Sequence, residues 1–224
     1  MSQPPVIAID GPSASGKGTV SQRIAGVLGF HYLESGALYR LVALVSLQAA
    51  RPDASEQELA GYARALDARF EGDKILLNNH DVTESLRNER CGRQASVVAA
   101  LPLVRGALLE RQRGYRREPG LVADGRDMGT IVFPDARLKV FLTASVAERA
   151  SRRHKQLIEK GIDANLPSLL RDLEERDQRD MGRSIAPLIA AEGALRVDSS
   201  ALGIGQVVDL VLAEWRKRKG SGAV

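Results

Sequence analysis

The segment that most constrains the fold of this chain is residues 6–19, where a short apolar run leads into a glycine-rich loop. Apolar and β-branched residues up to Asp10 are typical of a buried strand, and residues up to Leu28 can continue as an amphipathic helix. Backbone N–H groups of the loop and the helix N-terminus would then face one anion. The segment therefore predicts a phosphate-binding loop, with Lys17 neutralising the β- and γ-phosphates. The loop residues are Gly11, Pro12, Ser13, Ala14, Ser15, Gly16, Lys17, Gly18 and Thr19.

One position departs from the strict phosphate-loop pattern. That pattern places Ser or Thr directly after the lysine, where the hydroxyl touches Mg²⁺, but here Gly18 comes before Thr19. The departure argues against direct ligation of Mg²⁺ by this loop, although Thr19 stays a candidate ligand. A glycine-rich turn with a surface lysine is the alternative interpretation of the segment.

A second strand-to-helix junction follows the first helix. Residues 30–33 predict a short strand, and the residues after them predict a helix that runs to about residue 50. Ser35 is a plausible N-cap of this helix, and Arg40 lies a little more than one turn inside it. Open α/β sheets place ligand groups at such junctions, so both side chains are candidates for one cleft. A surface salt bridge is the alternative role for Arg40.

The sequence pattern changes between residues 52 and 79, where a polar helix is followed by short strands. We interpret this segment as a lobe inserted into the core domain. The elements predicted up to residue 117 are a helix at 54–66 capped by Ser55, a hairpin formed by 69–70 and 75–77, helices at 81–100 broken near Gly92, and a helix from Pro102 to about Arg117 with Arg105 in its first turn.

An apolar strand at residues 121–123 ends in Asp124 and continues as Gly125-Arg126-Asp127-Met128-Gly129-Thr130. A carboxylate at the end of such a strand has the position of a Walker B residue, which holds Mg²⁺ directly or through water near the phosphates. Together with the loop at 11–19 and the run Ser35-Gly36-Ala37-Leu38-Tyr39-Arg40, this segment resembles the bacterial cytidylate kinase family. The resemblance covers essentially the whole chain, and the segment around Asp127 is its most specific motif.

The resemblance implies roles for individual residues. Asp127, Arg105 and Ser96 match positions that recognise cytosine. The positions that bind the monophosphate are matched by Ser35, Arg40 and Arg126. A carboxylate that accepts from an exocyclic amine and an arginine that donates to ring acceptors agree with this chemistry. A turn cap is the alternative role for Asp127.

Two arginine-rich helices are predicted at 146–160 and from about residue 167, with a glycine-containing tip between them. Residues three and four apart share one helix face. Arg149, Arg152 and Arg153 do so on the first helix, and Arg176, Arg179, Asp180 and Arg183 on the second. Ordinary i,i+4 salt bridges are the alternative explanation. The resemblance implies that Arg176 and Asp180 lie near the ribose, that Arg183 lies near phosphate or base, and that the segment at about 150–165 is a lid. Catalytic roles are predicted for Lys17, Arg126, Arg176 and Arg183. ATP-binding roles are predicted for the loop and for Arg152 and Arg153.

Composition narrows the class of protein. The chain has 224 residues, 44% of them hydrophobic, and no long uncharged apolar run, which predicts a globular protein without a membrane span. A single Cys91 allows no internal disulfide, and the N-terminus lacks the pattern of a secretion signal, so we expect a cytoplasmic protein. The net charge of +4 indicates anionic partners, but no aromatic stacking platform accompanies it, which argues against nucleic acid. We also expect a monomer.

We therefore predict an α/β protein with the P-loop NTPase fold and a doubly wound, mostly parallel sheet. Residues 1–224 would form a single kinase domain, with an inserted CMP-binding lobe at about 36–100 and a small lid at about 150–165. The resemblance implies ATP-dependent phosphorylation of CMP and dCMP to CDP and dCDP, with Mg²⁺ accompanying ATP and Asp124 as its ligand. An adenylate- or uridylate-type kinase, a small-metabolite kinase, and a nucleotide-binding regulator or nucleic-acid-binding protein remain alternatives.

Overall fold

A five-stranded sheet forms the centre of one of the two units into which the chain divides. The computed structural model describes residues 3–72 and 74–220. The core unit contains residues up to Leu33 and those from Tyr115 onward, and the second unit is Glu34–Gly114. The strands of the described residues are β1 (Val6–Asp10), β2 (His31–Glu34), β3 (Ala68–Glu71), β4 (Lys74–Leu77), β5 (His80–Asp81), β6 (Leu121–Gly125), β7 (Leu138–Thr143) and β8 (Leu195–Asp198).

Helices separate most of these strands along the chain. A short π-helical turn, Met128–Val132, follows β6. Within the described residues, none of the helices combines the length and the apolar character that crossing a bilayer requires. The α-helices are α1 (Lys17–Leu28), α2 (Ser35–Gln48), α3 (Glu56–Ala65), α4 (Thr83–Arg87), α5 (Glu89–Val98), α6 (Pro102–Arg113), α7 (Val146–Glu159), α8 (Leu166–Met181) and α9 (Ile204–Gly220).

The sheet of the core unit has the strand order β2, β6, β1, β7, β8. β1 pairs in parallel with both β6 and β7, and β7 pairs in parallel with β8. Val6, Ile7, Ala8 and Ile9 of β1 have no exposed surface, as expected for a central strand of a parallel sheet covered on both faces. The predicted mostly parallel α/β sheet is confirmed. Because β1 is central, its carboxyl end places the next loop beside the ends of β6 and β7.

Packing against this sheet fixes α1, the helix that follows the loop. Ile7 of β1 lies in one buried cluster with Val20 and Ile24 of α1, which are four residues apart and therefore share a helix face. Trp215 of α9 belongs to the same cluster, and its ring meets the ring of Phe30 edge-on with 5.7 Å between centroids. The N-terminus of α1 is thus held at a fixed place beside the sheet.

The second unit combines α2 to α6 with an antiparallel sheet of β3, β4 and β5. The predicted hairpin is confirmed, and β5 adds a strand that the sequence did not predict. Asp73 lies outside the described residues. Ser55 caps α3 as predicted, because its hydroxyl accepts from the Glu58 N–H and the Glu58 carboxylate accepts from the Ser55 N–H.

The predicted helix break near Gly92 was wrong. The break falls at Asn88, whose side chain accepts from the Cys91 N–H at 2.8 Å and so caps the start of α5. Gly92 lies inside α5, where an added Cβ would come within 3.2 Å of the Arg40 guanidinium. The glycine therefore leaves room for a side chain that is distant in sequence, and it does not end the helix.

Two predicted helix ends were also wrong. Ser35 is the first residue of α2 and not its N-cap, because the helix begins directly after β2 and Glu34 takes the N-cap position. The Ser35 side chain is consequently buried. The helix that begins at Pro102 ends at Arg113 and not at about residue 117, because the chain leaves the helix at Gly114.

The predicted lid at about 150–165 contains most of α7 and the residues that lead to α8, and these two helices pack against each other. Asn165 caps α8, because its side chain accepts from the Ser168 N–H at 3.0 Å. The single-domain organisation, the inserted lobe at about 36–100 and the lid at about 150–165 stay predictions.

Candidate active site

The phosphate loop follows β1 and is shaped by glycines at both ends. An added Cβ at Gly11 would lie 2.0 Å from the carbonyl oxygen of Leu142, so only glycine fits there. Ala14 and Gly16 have φ angles of 58° and 87°, which turn the backbone before α1 begins. Turns of this kind aim N–H groups into a concave surface that suits an anion. The loop therefore has the backbone geometry that phosphate binding requires.

Lys17 is the first residue of α1, and its ammonium folds back over the loop. Its Nζ donates to the carbonyl oxygen of Pro12 at 3.1 Å, and the side chain is half-buried. This placement differs from that of a surface lysine that extends into solvent. The ammonium adds a full charge to the partial positive charge at the N-terminus of α1.

Asp124 is buried at the carboxyl end of β6, beside the first turn of α1. Its Oδ2 accepts from the Tyr32 hydroxyl at 2.5 Å, and an added Cβ at Gly18 would lie 3.8 Å from the same oxygen. Thr19, the other predicted metal ligand, is exposed. Mg²⁺ binds proteins through one or two carboxylates together with water and phosphate oxygens. The residues present therefore fit Mg²⁺ held by Asp124 better than Mg²⁺ held by Thr19.

Arg152 of α7 lies close to the loop. Its guanidinium donates to the Ser199 carbonyl oxygen at 2.6 Å, and an added Cβ at Gly16 would lie 3.8 Å from its Nη1. It also donates to Glu148 at 2.9 Å, which is the i,i+4 pair that the sequence left as an alternative. Arg153 donates to a side chain three residues along its own helix. Its predicted contact with ATP stays a prediction.

Arg126 joins the loop to α8. Its Nε donates to Asp180 Oδ2 at 2.7 Å, and its Nη2 donates to the Ser13 hydroxyl at 2.8 Å. Asp180 is 1% exposed and also accepts from Arg183. Burial would raise the pKa of Asp180, but the guanidinium groups of Arg126, Arg183 and Arg176 together lower it below its usual 3.8. Asp180 is therefore ionised at neutral pH and holds a cluster of cations beside the loop.

Arg183 lies outside the helix in which the sequence pattern placed it. Arg183 was expected on the same helix as Arg176 and Asp180, but α8 ends at Met181 and Arg183 follows it. The Arg183 side chain is nevertheless 4% exposed because it turns back to pair with Asp180. The fourth member of the expected face, Arg179, is exposed.

Asp127 directly precedes the π-helical turn and is 3% exposed. Its side chain makes no capping hydrogen bond to that turn, so the structure does not favour the alternative role of a turn cap. The turn is held instead by Asp10, whose two carboxylate oxygens accept from the N–H groups of Met128 and Gly129, each at 2.8 Å. Burial raises the pKa of Asp10 to about 7, although these two N–H groups act in the opposite direction.

Asp10 was not predicted as a site residue. A signal was present, because this carboxylate ends a buried strand directly before the first glycine of the loop. The strand that contains Asp10 is otherwise apolar, however. The neighbouring residues do not indicate that its carboxylate accepts hydrogen bonds from backbone more than a hundred residues further along the chain. Asp10 fixes the backbone that follows Asp127.

The second unit holds the remaining predicted substrate residues. Arg40 of α2 donates to the carbonyl oxygen of Leu86 at 2.6 Å, and its guanidinium lies against Gly92. Ser35 is buried in the first turn of the same helix. The alternative of a surface salt bridge for Arg40 is not observed, because no carboxylate pairs with Arg40 among the described residues.

Arg105 and Ser96 lie on consecutive helices of the second unit. Arg105 is 8% exposed, donates to the Ala99 carbonyl oxygen at 3.1 Å, and places its guanidinium 5.6 Å from the centre of the Tyr39 ring. Ser96 is buried, and its hydroxyl has no hydrogen-bond partner in the part of the chain that the structure describes. A buried hydroxyl without a partner is a candidate contact for a ligand.

A family model described as cytidylate kinase matches residues 7–217, a range that includes both units and every candidate site residue. The chain belongs to the cytidylate kinase family. This member of the cytidylate kinase family is 58% identical over 212 residues to a cytidylate kinase of Bordetella bronchiseptica. The alignment covers 95% of this chain and 95% of that protein. It is 56% identical over 216 residues to a cytidylate kinase of Ralstonia nicotianae, and that alignment covers 96% of this chain and 94% of that protein. The family predicted from the three motifs is confirmed.

Solved structures add a likeness of fold. An uncharacterised protein from Eubacterium ventriosum aligns with 94% of this chain and 97% of its own, with a TM-score of 0.51 and 11% identity. At that identity the likeness concerns the arrangement of strands and helices and carries no statement about substrates.

Proposed function

We propose that this member of the cytidylate kinase family transfers the γ-phosphoryl group of ATP to the 5′-phosphate of CMP or dCMP, giving ADP and CDP or dCDP. The observation that carries the proposal is the Arg126 side chain, which joins the Ser13 hydroxyl of the loop to the buried Asp180. A cluster of guanidinium groups thereby lies beside the loop that would hold the phosphates of ATP. The relatives named cytidylate kinase support CMP as the acceptor.

The transfer requires alignment and charge neutralisation. An oxygen of the CMP phosphate forms a bond to the γ-phosphorus, the bond from that phosphorus to the bridging oxygen breaks, and the electron pair leaves with ADP. The acceptor is already an anion, so no strong general base is required and we assign none. Holding two reactants in line lowers a barrier by about 7–11 kcal/mol in favourable cases, which makes positioning the main task of the protein.

Lys17 and three arginines supply the catalytic positive charge in this proposal. Lys17, above the loop, neutralises the phosphoryl group in transfer. Arg126, Arg176 and Arg183 act on the transferred group and on the monophosphate, and Asp180 holds them in place. Arg176 and Asp180 also contact the ribose. ATP is held by the loop, with Arg152 and Arg153 on the side of α7.

Ser35, Arg40 and Arg126 bind the monophosphate end of the acceptor. The guanidinium of Arg40 is anchored by the neutral Leu86 carbonyl, so its charge is not balanced within the described residues. An arginine in that state suits a phosphate dianion.

The base is read by Asp127, Arg105 and Ser96. The Asp127 carboxylate accepts from the exocyclic amine of cytosine, and Arg105 donates to the ring acceptors. Uracil places an oxygen where cytosine has the amine, so an ionised Asp127 would face a carbonyl oxygen. CMP and dCMP are therefore used in preference to UMP, and AMP and GMP, whose bases are larger, are used poorly.

Asp124 would hold the Mg²⁺ that accompanies ATP, directly or through water, and Thr19 is the weaker candidate ligand. The ion supplies charge neutralisation on the β- and γ-oxygens when it is bound. Tyr32 orients the Asp124 carboxylate that would hold it.

Residues 150–165 close as a lid that excludes water, since water in place of CMP would convert transfer into ATP hydrolysis.

The proposed partners are the small molecules ATP, CMP and dCMP, with neither nucleic acid nor membrane, and the proposed state is a cytoplasmic monomer.

Turnover of the purified protein with ATP and a panel of CMP, dCMP, UMP, AMP and GMP tests the function. We expect CMP and dCMP to give the highest kcat/KM, and equal use of UMP or AMP would contradict the assignment. Light scattering of the same preparation tests the monomer.

A further inference from the structure

A second arginine–aspartate pair lies against the phosphate loop, and the proposed mechanism uses neither side chain. Arg149 of α7 is 2% exposed and Asp177 of α8 is 7% exposed. Arg149 donates from Nη2 to Asp177 Oδ2 at 2.5 Å and from Nη1 to Oδ1 at 3.2 Å. Two parallel N–H donors to one carboxylate form a bidentate pair, which fixes the direction of the guanidinium plane.

The other N–H groups of Arg149 reach the loop and the end of the sheet. Nη1 donates to the carbonyl oxygen of Ser13 at 3.1 Å, and Nε donates to that of Ala144, the residue after β7, at 3.0 Å. One planar group therefore joins α8, the sheet and the loop. The fixed directions of its N–H groups allow this, whereas a lysine ammonium is a point charge on a flexible stem.

Ser13 is consequently held by guanidinium groups at two of its atoms. Its carbonyl oxygen accepts from Arg149 and its hydroxyl accepts from Arg126. The carboxylates that fix these arginines, Asp177 and Asp180, are three residues apart on α8 and share one helix face. The helix thus determines the position of Ser13 through two separate side-chain pairs.

The residue after Ser13 shows why the loop needs such support. Ala14 has a φ of 58°, a left-handed conformation that residues with a Cβ keep only where the surrounding structure holds them. The turn at Ala14 is part of the concave arrangement of N–H groups. A loop released at the Ser13 carbonyl would have one contact fewer to keep Ala14 in this conformation.

We propose that Arg149 and Asp177 are positioning residues that hold the phosphate loop in its ATP-binding shape before ATP arrives. They act through the Ser13 carbonyl, and they do not touch the substrates. The proposal rests on the proposed function, because it concerns the loop that would bind the phosphates of ATP. An ion pair that only joined α7 to α8 would leave the loop unchanged when it was weakened.

Arg149→Lys tests the proposal, since it keeps the positive charge and loses the planar fork. Arg116→Lys is the matched control, because Arg116 also joins an aspartate, Asp135, to a backbone carbonyl oxygen, that of Pro4, but does not belong to the loop region. We expect Arg149→Lys to lower kcat about 100-fold per folded molecule and to raise the KM for ATP more than the KM for CMP. Arg116→Lys should leave these constants within about twofold of wild type, as for substitutions away from special sites.

Hydrogen exchange of residues 13–16 without nucleotide gives a readout that does not depend on activity. Faster exchange in Arg149→Lys than in Arg116→Lys is expected, and equal exchange together with equal kinetic constants would overturn the proposal. If Arg149→Lys does not fold, Asp177→Asn, which keeps the side-chain shape, is measured in the same way and decides by the same criteria. Absence of CMP phosphorylation by the wild type would contradict the proposed function, whereas the exchange comparison would still decide the role of the pair.

Discussion

Arg126 and Arg149 of the core unit are held differently from Arg40 of the second unit. In the core unit, Arg126 and Arg149 each pair with a buried aspartate of α8. In the second unit, Arg40 donates to a neutral carbonyl oxygen, and no carboxylate pairs with it among the described residues. A paired guanidinium has a fixed position and a partly balanced charge, whereas one held by a carbonyl keeps its full charge for an anion. We therefore expect substitutions in the core unit to act mainly on kcat and substitutions at Arg40 mainly on the KM for CMP.

The largest expected effect is that of Lys17→Met in the core unit. The substitution removes the ammonium that lies over the loop while it preserves the length of the side chain. We expect kcat to fall by about 1000-fold or more, since removal of one well-placed donor to developing charge costs about 100- to 1000-fold elsewhere. Lys217→Met, at a side chain that is 75% exposed on α9, is the control. Near-normal turnover of a folded Lys17→Met protein would contradict the phosphate-loop assignment.

Asp127→Ala should act on the choice of base. A site built for the cytosine amine rejects uracil by about 2–4 kcal/mol, because a buried hydrogen-bonding group is left mismatched. The variant should lose kcat/KM for CMP far more than for UMP, so that the gap between the two narrows. Asp53→Ala, at a side chain that is 84% exposed, should keep the wild-type ratio. An unchanged ratio in Asp127→Ala would show that another residue reads the base.

Arg40→Met tests the second unit directly. Loss of one charge-assisted contact of about 1.5–3 kcal/mol should raise the KM for CMP roughly 10- to 100-fold, with a much smaller change in kcat. The exposed Arg51, which pairs with Glu58, provides the control variant Arg51→Met. A fall in kcat with an unchanged KM would remove the distinction between the two units.

The smallest expected effect is a pH dependence of stability from Asp180. Its pKa is lower in the folded than in the unfolded protein, so the stabilisation is complete above about 3.8 and is lost as pH falls through that value toward the folded pKa. The difference in unfolding free energy between wild type and Asp180→Asn should therefore be constant near neutral pH and shrink below about pH 4. A difference that stays constant to pH 3 would contradict a lowered pKa.

The elements that could be predicted from the sequence are those fixed by local patterns. β1, the glycine loop and α1 follow from a buried apolar strand, a motif of fixed spacing and an amphipathic helix. The cap at Ser55 and the strand that ends in Asp124 are likewise defined by a few adjacent residues. In these places the local preference and the tertiary structure agree.

The features that could not be predicted depend on contacts between distant residues. Gly92 looked like a helix break because nothing near it shows that the Arg40 guanidinium occupies the space beside it. Arg149 and Ser13 are 136 residues apart, and their hydrogen bond leaves no trace in the sequence around either residue. Arg149 therefore looked like one of several arginines on a helix face, and only the structure separates it from its neighbours.

The central claim is that the γ-phosphoryl group moves from ATP directly to the phosphate of CMP. Ion-exchange chromatography of the wild-type reaction with ATP, Mg²⁺ and CMP measures this, because it separates ADP from CDP by their bases, and phosphorus NMR of the same reaction detects inorganic phosphate as a separate signal. We predict that CDP and ADP form in equal amounts and that inorganic phosphate stays near the level of a protein-free sample. Formation of ADP with inorganic phosphate in place of CDP, or no change in the ATP signals, would contradict the account.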